Sequence, residues 1–131
     1  MKLLLDTHVA IWAIQDDHKL TDHVRGLISD ENNTISVSAA SIWEIAIKFA
    51  SARGRPNDMP VSAPDAVTYF QRAGFKLLSV TPEHAVAVAD LPALHKDPFD
   101  RLIIAQALVE PLRLVTHDKI VADYSDTILL V

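Results

Sequence analysis

The chain has 131 residues, half of them hydrophobic and 22% charged. Domains cluster around about 100 to 150 residues, so we expect one domain over residues 1–131. The apolar content excludes intrinsic disorder, and no apolar run approaches the roughly 18 residues of a membrane span. Cysteine is absent, which leaves oxygen or imidazole to hold any metal. Because Asp6 interrupts the first apolar run, no signal peptide is predicted and we expect a soluble, cytoplasmic protein.

Seventeen acidic residues against twelve basic ones give a formal charge of −5. This balance argues against a protein that holds nucleic acid through a broad basic face. If four of the carboxylates bind divalent metal, however, thirteen acids remain against twelve bases. The total charge therefore does not exclude a nuclease.

Five short runs rich in Leu, Val and Ile predict five strands. Several are apolar without alternation, which is typical of strands buried on both faces of a parallel sheet. Segments with helical spacing lie between them, so we predict an α/β fold, a three-layer sandwich with a parallel five-stranded sheet flanked by helices. The predicted strands are residues 2–5, 35–37, 77–80, 112–115 and 128–131.

The intervening helices show apolar stripes and clear ends. A capping side chain before proline marks helix starts at Thr81-Pro82 and Asp97-Pro98. Gly74 is typical of a helix end, and the composition of residues 51–63 predicts a loop between helices. The two stripes are Leu20, Val24, Leu27 and Ile28, and Ile42, Ile45, Ala46 and Phe49.

Aspartates follow two of the predicted strands. Asp6 ends the first strand and Asp118 comes shortly after the fourth. Ligands of open α/β sheets bind beyond the carboxyl ends of the strands, where both side chains would project. Taken singly, each aspartate could instead only cap the helix that follows it.

Glu44 lies about one turn into an otherwise apolar helix. It could form an exposed pair with Lys48, four residues further on. Trp43 and Ile47 extend the apolar surface around this helix, however, and a helix that is apolar nearly all round is usually buried. A buried Glu44 carboxylate would then need a partner.

Asp97 and Asp100 share one helix start. Asp97, directly before Pro98, is placed to cap the helix. Asp100 could be a first-turn acid favoured by the helix dipole, or it could point into the crevice at the sheet edge. Arg101 could bind phosphate or pair with a neighbouring acid.

A cleft that gathered Asp6, Glu44, Asp100 and Asp118 would require a cation, because four carboxylates repel one another and raise one another's pKa. Oxygen ligands select hard ions such as Mg²⁺ or Mn²⁺, held together with water and substrate phosphate. Such an ion activates water and stabilises charge on a leaving oxygen. The pattern therefore indicates phosphodiester hydrolysis.

Other polar residues provide weaker signals. His8 and His117 flank the expected site and could touch substrate, whereas the remaining histidines are expected in solvated or capping roles. No stretch interleaves aromatic and basic residues, so the sequence does not predict base stacking. Phosphate contacts, or alternatively ordinary surface positions, are expected for Lys48, Arg53, Arg55, Lys96, Arg101 and Lys119.

Four segments, in order along essentially the whole chain, resemble the PIN-domain ribonucleases and, within them, the VapC-type toxins of bacterial toxin–antitoxin pairs. The resemblance implies a PIN-like parallel sheet and a Mg²⁺- or Mn²⁺-dependent endoribonuclease that forms homodimers and is silenced by an antitoxin. It implies metal and catalytic roles for Asp6, Glu44, Asp100 and Asp118, with Thr116 as an accompanying polar residue; His8 departs from the small polar residue of many relatives. The matching segments are Leu3-Leu4-Leu5-Asp6-Thr7-His8, residues 38–45, residues 95–107 with Asp97-Pro98-Phe99-Asp100-Arg101, and Leu114-Val115-Thr116-His117-Asp118.

The leading hypothesis is a metal-dependent endoribonuclease toxin acting on RNA, with Thr116, Arg101 and His8 as candidate substrate contacts. An acidic-cleft protein-interaction module with little or no catalysis is the first alternative. A small phosphoesterase is the second. The substrate RNA, the cleavage site and the number of metal ions do not follow from the sequence.

Overall fold

The fold is built on a sheet of five parallel strands with helices on both faces. The computed structural model describes residues 1–52 and 59–131. The strands are β1 (Lys2–Leu5), β2 (Thr34–Ser38), β3 (Lys76–Leu78), β4 (Arg113–Thr116) and β5 (Leu129–Leu130). The helices are α1 (Thr7–Gln15), α2 (Asp22–Ser29), α3 (Ala39–Ala52), α4 (Ala63–Arg72), α5 (Pro82–Ala87), α6 (Pro98–Val109) and α7 (Lys119–Ala122), with a 3-10 turn at Val88–Asp90.

The strand order is β3-β2-β1-β4-β5, and every neighbouring pair is parallel. Alternate residues of β1 enter different cores: Leu3 and Leu5 pack on one face of the sheet and Leu4 on the other. Successive side chains of a strand point to opposite faces, so a strand covered on both sides is apolar throughout. The predicted three-layer α/β fold is confirmed.

The central strands match the sequence prediction more closely than the edge strands do. β1, β2 and β4 are buried over most of their length, whereas β3 and β5 each have one neighbouring strand and are more exposed. The third strand ends at Leu78, so its predicted extension to Val80 is wrong. Val80 follows the last residue of β3 that pairs with β2.

The predicted helix ends are confirmed where a capping side chain marked them. Asp97 accepts a hydrogen bond from the amide of Asp100 at 3.0 Å and begins α6. The Thr81 hydroxyl accepts from the amide of His84 and begins α5. Gly74 follows α4 with a φ of +81°, a conformation that favours glycine because it has no Cβ.

α3 presents a different face to the protein from the one its apolar stripe predicts. Ile45 is buried, but Ala46 is exposed and Phe49 is 45% exposed, whereas Glu44 is only 3% exposed. α3 packs against α1, α4 and α6, and these neighbours select the face that includes Glu44. The exposed Glu44–Lys48 pair considered from the sequence is therefore corrected to a pair with a buried carboxylate.

The predicted loop at residues 51–63 is wrong at both of its ends. Residues 51 and 52 still belong to α3, and α4 already begins at Ala63. Residues 53–58, with Arg53 and Arg55, lie outside the described part of the chain. Over the described ranges, we find no helix with the length and apolarity needed to traverse a bilayer.

Candidate active site

The four expected carboxylates come from separate elements that meet at the carboxyl edge of the sheet. Asp6 directly follows β1, and Asp118 lies two residues beyond β4. Glu44 projects from α3, which directly follows β2, and Asp100 lies in the first turn of α6. Because β2, β1 and β4 are adjacent and parallel, the segments that leave them begin at one edge. We call these four residues the acidic site.

Asp6 is the most firmly held member. One carboxylate oxygen accepts a hydrogen bond from the amide of Val9 at 2.9 Å, which caps α1. The other accepts from the hydroxyl of Thr116 at 2.6 Å, and the same hydroxyl oxygen accepts from the amide of Asp118 at 3.1 Å. Burial raises the pKa of Asp6 against the lowering effect of these hydrogen bonds. Thr116 thus fixes Asp6 and the backbone of Asp118 relative to each other.

Asp100 experiences the negative charge of the site most strongly. Burial, followed by the charges of Asp97 and Asp6, raises its pKa to about 7, and Glu44 contributes in the same direction. The charge of His95 opposes this rise. At neutral pH, Asp100 is therefore a carboxyl group balanced between its protonated and ionised forms.

His95 lies between two of the acids. Its Nε2 is 3.0 Å from an oxygen of Asp100 and 3.0 Å from an oxygen of Asp118. Its Nδ1 accepts a hydrogen bond from the amide of Asp97 at 3.2 Å, so Nε2 is the ring nitrogen that faces the two acids. Potential ligand atoms of His95, Asp100 and Asp118 all lie within 4.8 Å of one another.

Asp118 is more exposed than Asp100, and its pKa is lowered from the ordinary value. Its limited desolvation acts to raise the pKa, but a hydrogen bond from the amide of Ile120, together with the hydrogen bond and charge of His95, outweighs that effect. Asp118 also caps α7 through the Ile120 contact, at 2.8 Å. The capping role and the position in the acidic site are therefore compatible, as they are for Asp6.

Glu44 contributes a carboxylate oxygen with an unmet hydrogen-bond requirement. Its Oε2 accepts from the Lys48 ammonium at 2.5 Å. Its Oε1 is buried and has no hydrogen-bond partner among residues 1–52 and 59–131. A buried carboxylate oxygen without a partner is costly, so this atom favours an additional donor or a cation.

His95 was not among the site residues predicted from the sequence. It was expected in a loop, and the structure confirms a non-helical position two residues before the Asp97 cap. The sequence carried one signal for this role, because His95 lies two residues before the predicted helix cap Asp97. The amide of Asp97 donates to the His95 ring and orients it, and Asp100 lies in the first turn of the same helix. Of the two roles expected for His84, solvated or capping, the structure shows the capping one: its side chain belongs to the capping box of α5 and is 1% exposed.

Arg101 has partners other than those expected from the sequence. Its guanidinium donates to the backbone oxygens of Pro92, His95 and Val88 and to the hydroxyl of Tyr124. Through these contacts Arg101 holds the segment that carries His95; a phosphate contact by Arg101 stays a prediction. The Thr116 hydroxyl donates to Asp6, and His8 is an exposed residue two positions after the Asp6 cap of α1.

Two open cavities adjoin the acidic site. One, of about 430 Å³, includes Thr7, Glu44, Lys48 and Lys19 in its lining. The other, of about 440 Å³, is lined by Asp6, His8, Trp12, His117, Asp118 and Lys119. His8 and Trp12 line both cavities.

The fold and the site define a three-layer α/β protein with an acid-rich site at the carboxyl edge of a parallel sheet. A family model described as the PIN domain matches residues 3–126, and the chain belongs to that family. A curated relative, ribonuclease VapC22 of Mycobacterium tuberculosis, is 29% identical over 120 residues, which cover 89% of this chain and 87% of the relative.

Solved structures agree with this assignment at the level of the fold. The chain is similar to the crystal structure of VapBC2 from Rickettsia felis bound to a promoter DNA fragment, with a TM-score of 0.69 and 18% identity over 100% of this chain and 98% of the other. It is also similar to DNA-bound VapBC from Salmonella typhimurium, with a TM-score of 0.67 and 16% identity over 100% and 97%. The recognition of a PIN-like fold from four sequence segments is confirmed.

Proposed function

We propose that this chain is an endoribonuclease toxin of a toxin–antitoxin pair, a single catalytic domain that hydrolyses RNA phosphodiester bonds with a divalent cation. Membership of the PIN domain family and similarity to a protein named as a ribonuclease support the activity. The observation that carries the metal requirement is the environment of Asp100. Burial, followed by the charges of three other carboxylates, raises its pKa, and a cation would relieve the repulsion among these charges.

The residues present fit a hard divalent cation. Asp6, Asp100 and Asp118 would hold it. Carboxylate oxygens of Asp100 and Asp118 lie within 4.8 Å of each other and of a His95 ring nitrogen, and Thr116 ties Asp6 to the backbone of Asp118. The unpartnered Oε1 of Glu44 would be a further ligand or the acceptor for an attacking water. A mainly carboxylate donor set selects Mg²⁺ or Mn²⁺ over softer metals. When bound, such an ion activates water and neutralises charge on the leaving oxygen.

The chain's own residues position and orient the reacting groups. Thr116 holds the Asp6 carboxylate and the Asp118 backbone in one geometry, so these two oxygen donors are organised before substrate arrives. Lys119 lies in the cavity beside both and supplies positive charge for an RNA phosphate. Thr116, Arg101 and His8 are the candidate substrate contacts.

The partners follow from the same proposal. The two solved structures above are VapBC complexes, which supports an antitoxin as the protein that binds and silences this chain.

Three large apolar side chains of α3, namely Trp43, Ile47 and Phe49, are between 43% and 60% exposed, and Trp43 also contacts Phe99 of α6. An exposed apolar face of this kind supports a homodimer. Light scattering should then give twice the 14.4 kDa of one chain. We also propose a cytoplasmic location.

The test is cleavage of mixed-sequence single-stranded RNA by the purified protein, with Mg²⁺, with Mn²⁺ and with chelator. Cleavage should require the divalent ion, and Asp100→Asn should reduce it by more than about a hundredfold, beyond the usual cost of losing an outer-sphere partner. Asp65→Asn is the matched control, because Asp65 is likewise an acid three residues after a helix cap but is exposed in α4. Undiminished cleavage in chelator, or by Asp100→Asn, would contradict the proposal. Tight binding of an arginine-rich peptide without cleavage under any ion would favour an interaction module.

A further inference from the structure

Three aromatic rings from distant parts of the sequence form a cluster beside the acidic site. His8 and Trp12 lie four residues apart on α1, and their ring centroids are 6.2 Å apart. His117, which directly follows β4, approaches Trp12 edge-on at 5.2 Å with an interplanar angle of 73°. The sequence contains no aromatic-rich stretch, so this aromatic cluster exists only through the pairing of β1 with β4.

The aromatic cluster is held in place yet is accessible. Trp12 is partly buried and packs against the core on one side of the sheet. The Nδ1 of His117 lies 2.7 Å from a backbone oxygen of Val131, which can only accept, so this nitrogen donates and the ring is anchored. His8 and His117 are both exposed. A fixed aromatic surface that is open to solvent can bind a flat group with little loss of side-chain entropy.

The cavity in front of the aromatic cluster has a size and lining suited to a nucleobase. Its volume is about 440 Å³, and the three rings share its wall with Asp6, Asp118 and Lys119. Small-molecule sites commonly have volumes of about 300 to 1,000 Å³ and apolar walls with a few polar groups. Two acidic-site carboxylates therefore lie in the same cavity as the rings.

Positive charge flanks the aromatic cluster. Lys119 lines the cavity, and the ammonium of Lys19 lies 5.7 Å from the centroid of the Trp12 ring. Lys19 and Lys119 are both exposed, so their ammonium groups are available to phosphates. Once Asp6 and Asp118 are occupied by a cation, the remaining charges of this wall attract a polyanion and repel an arginine side chain.

We propose that this cavity is a base-binding subsite, in which a nucleobase next to the scissile phosphate of single-stranded RNA stacks on Trp12. His8 and His117 border the stacked base, and Lys19 and Lys119 contact the adjoining phosphates. The proposal rests on the proposed function, since it requires RNA at the acidic site. Stacking tolerates any base, so the subsite selects unpaired over paired RNA and does not select a sequence.

Trp12 fluorescence tests the stacking directly. The chain has two tryptophans, so Trp43→Phe leaves Trp12 as the single reporter. The Trp43→Phe, Asp100→Asn protein with Mg²⁺ is titrated with a short single-stranded RNA and with the same ribose-phosphate backbone lacking bases. We expect the RNA to quench Trp12 emission and the base-free backbone to leave it unchanged.

Binding of labelled RNA, followed by anisotropy, provides a second measurement. In the same background Trp12→Leu should weaken RNA binding by about 5- to 150-fold, the usual contribution of one stacked base. Trp12→Phe should retain most of the affinity, which keeps the test valid if Trp12→Leu does not fold. Tyr69→Leu, at an exposed aromatic residue of α4, is the matched control and should leave the affinity for RNA unchanged.

The outcomes separate this subsite from the proposed function. If wild-type protein cleaves RNA while Trp12 emission and the affinity of Trp12→Leu are unchanged, the subsite is overturned and the function stands. If Trp12→Leu weakens binding of an arginine-rich peptide but not of RNA, the cavity belongs to a protein partner and the proposal is wrong. If RNA is neither bound nor cleaved by the wild type, the function and the subsite are both overturned.

Discussion

Two clusters of buried polar side chains differ in how completely their hydrogen bonds are formed. In the first, Ser38 donates to the Gln106 side chain at 2.5 Å, and the Gln106 amide donates to the backbone of Ser79. His84 accepts from the Thr81 amide and donates to Glu110 at the surface. We call Ser38, His84, Gln106 and Glu110 the buried polar network. Its buried members have partners, as expected of polar groups that only support a fold.

The acidic site differs because its carboxylates repel one another and because one of their oxygens lacks a hydrogen-bond partner among the described residues. Burial and neighbouring acids raise the pKa of Asp100, and Glu44 has an oxygen without a hydrogen-bond partner among the described residues. Burial of polar groups is common to both clusters and so does not identify the function. The repulsion that raises the pKa of Asp100 and the unpartnered oxygen of Glu44 distinguish the acidic site.

The largest expected difference is a pH dependence of stability that the acidic site confers through Asp100. The pKa of Asp100 rises from 3.8 to about 7 on folding, so the folded state binds more protons between these values, and stability falls as pH rises through this window. Between pH 4 and 8, chelator-treated wild type should lose up to about 3 to 4 kcal/mol relative to Asp100→Asn. Urea unfolding at several pH values measures this loss of stability. Parallel plots of unfolding free energy against pH for the two proteins would refute the prediction.

Gln106→Ala should destabilise the protein without affecting ion binding. The change leaves Ser38 and the Ser79 carbonyl without their partner and opens a cavity, at a cost of about 2 to 3 kcal/mol that is equal at pH 5 and pH 8. Gln71→Ala, at an exposed glutamine of α4, is the matched control. Calorimetric titration with Mn²⁺ should give the wild-type affinity for both variants. A large loss of Mn²⁺ affinity in Gln106→Ala would contradict this prediction and would mean that the two clusters act together in ion binding.

Thr116→Val tests the residue that organises the acidic site. It removes the donor to Asp6 and the acceptor for the Asp118 amide, so we expect about 1 to 2 kcal/mol of destabilisation. Divalent-ion affinity should fall by about 10- to 100-fold, as for other outer-shell partners. Thr116→Ser keeps the hydroxyl and should restore most of the affinity. Equal affinities for the Val and Ser variants would mean that the hydroxyl does not position Asp6.

Glu44→Gln should have the smallest effect on the free energy of unfolding. It removes one charge that repels Asp100 but also the ion pair with Lys48, so at pH 8 in chelator we expect a change of less than about 1 kcal/mol. The stabilisation gained from added Mg²⁺ should nevertheless decrease. Glu31→Gln, at an exposed acid, is the control and should respond to Mg²⁺ as the wild type does. An unchanged Mg²⁺ response in Glu44→Gln would remove Glu44 from the ion-binding set.

Much of the fold was predictable because its signals are local. The continuous apolar runs of β1 and β4 indicated strands covered on both faces, and the capping side chains of Thr81 and Asp97 marked helix starts within a few residues. The positions of Asp6 and Asp118 followed from the same reasoning, since parallel strands end at one edge. Each of these features depends on neighbours in sequence or on the direction of a strand.

Other features depended on packing between segments that are distant in the chain. The orientation of α3, set by its contacts with other helices, buried Glu44 and exposed Phe49. His95 reached Asp100 and Asp118 only because the segment preceding α6 folds back across the site, held by Arg101. The sequence by itself determined which segments become strands and helices, because hydrophobic spacing and capping act over a few residues. The tertiary structure decided which side chains meet, because side-chain contacts depend on how elements rotate and pack against one another.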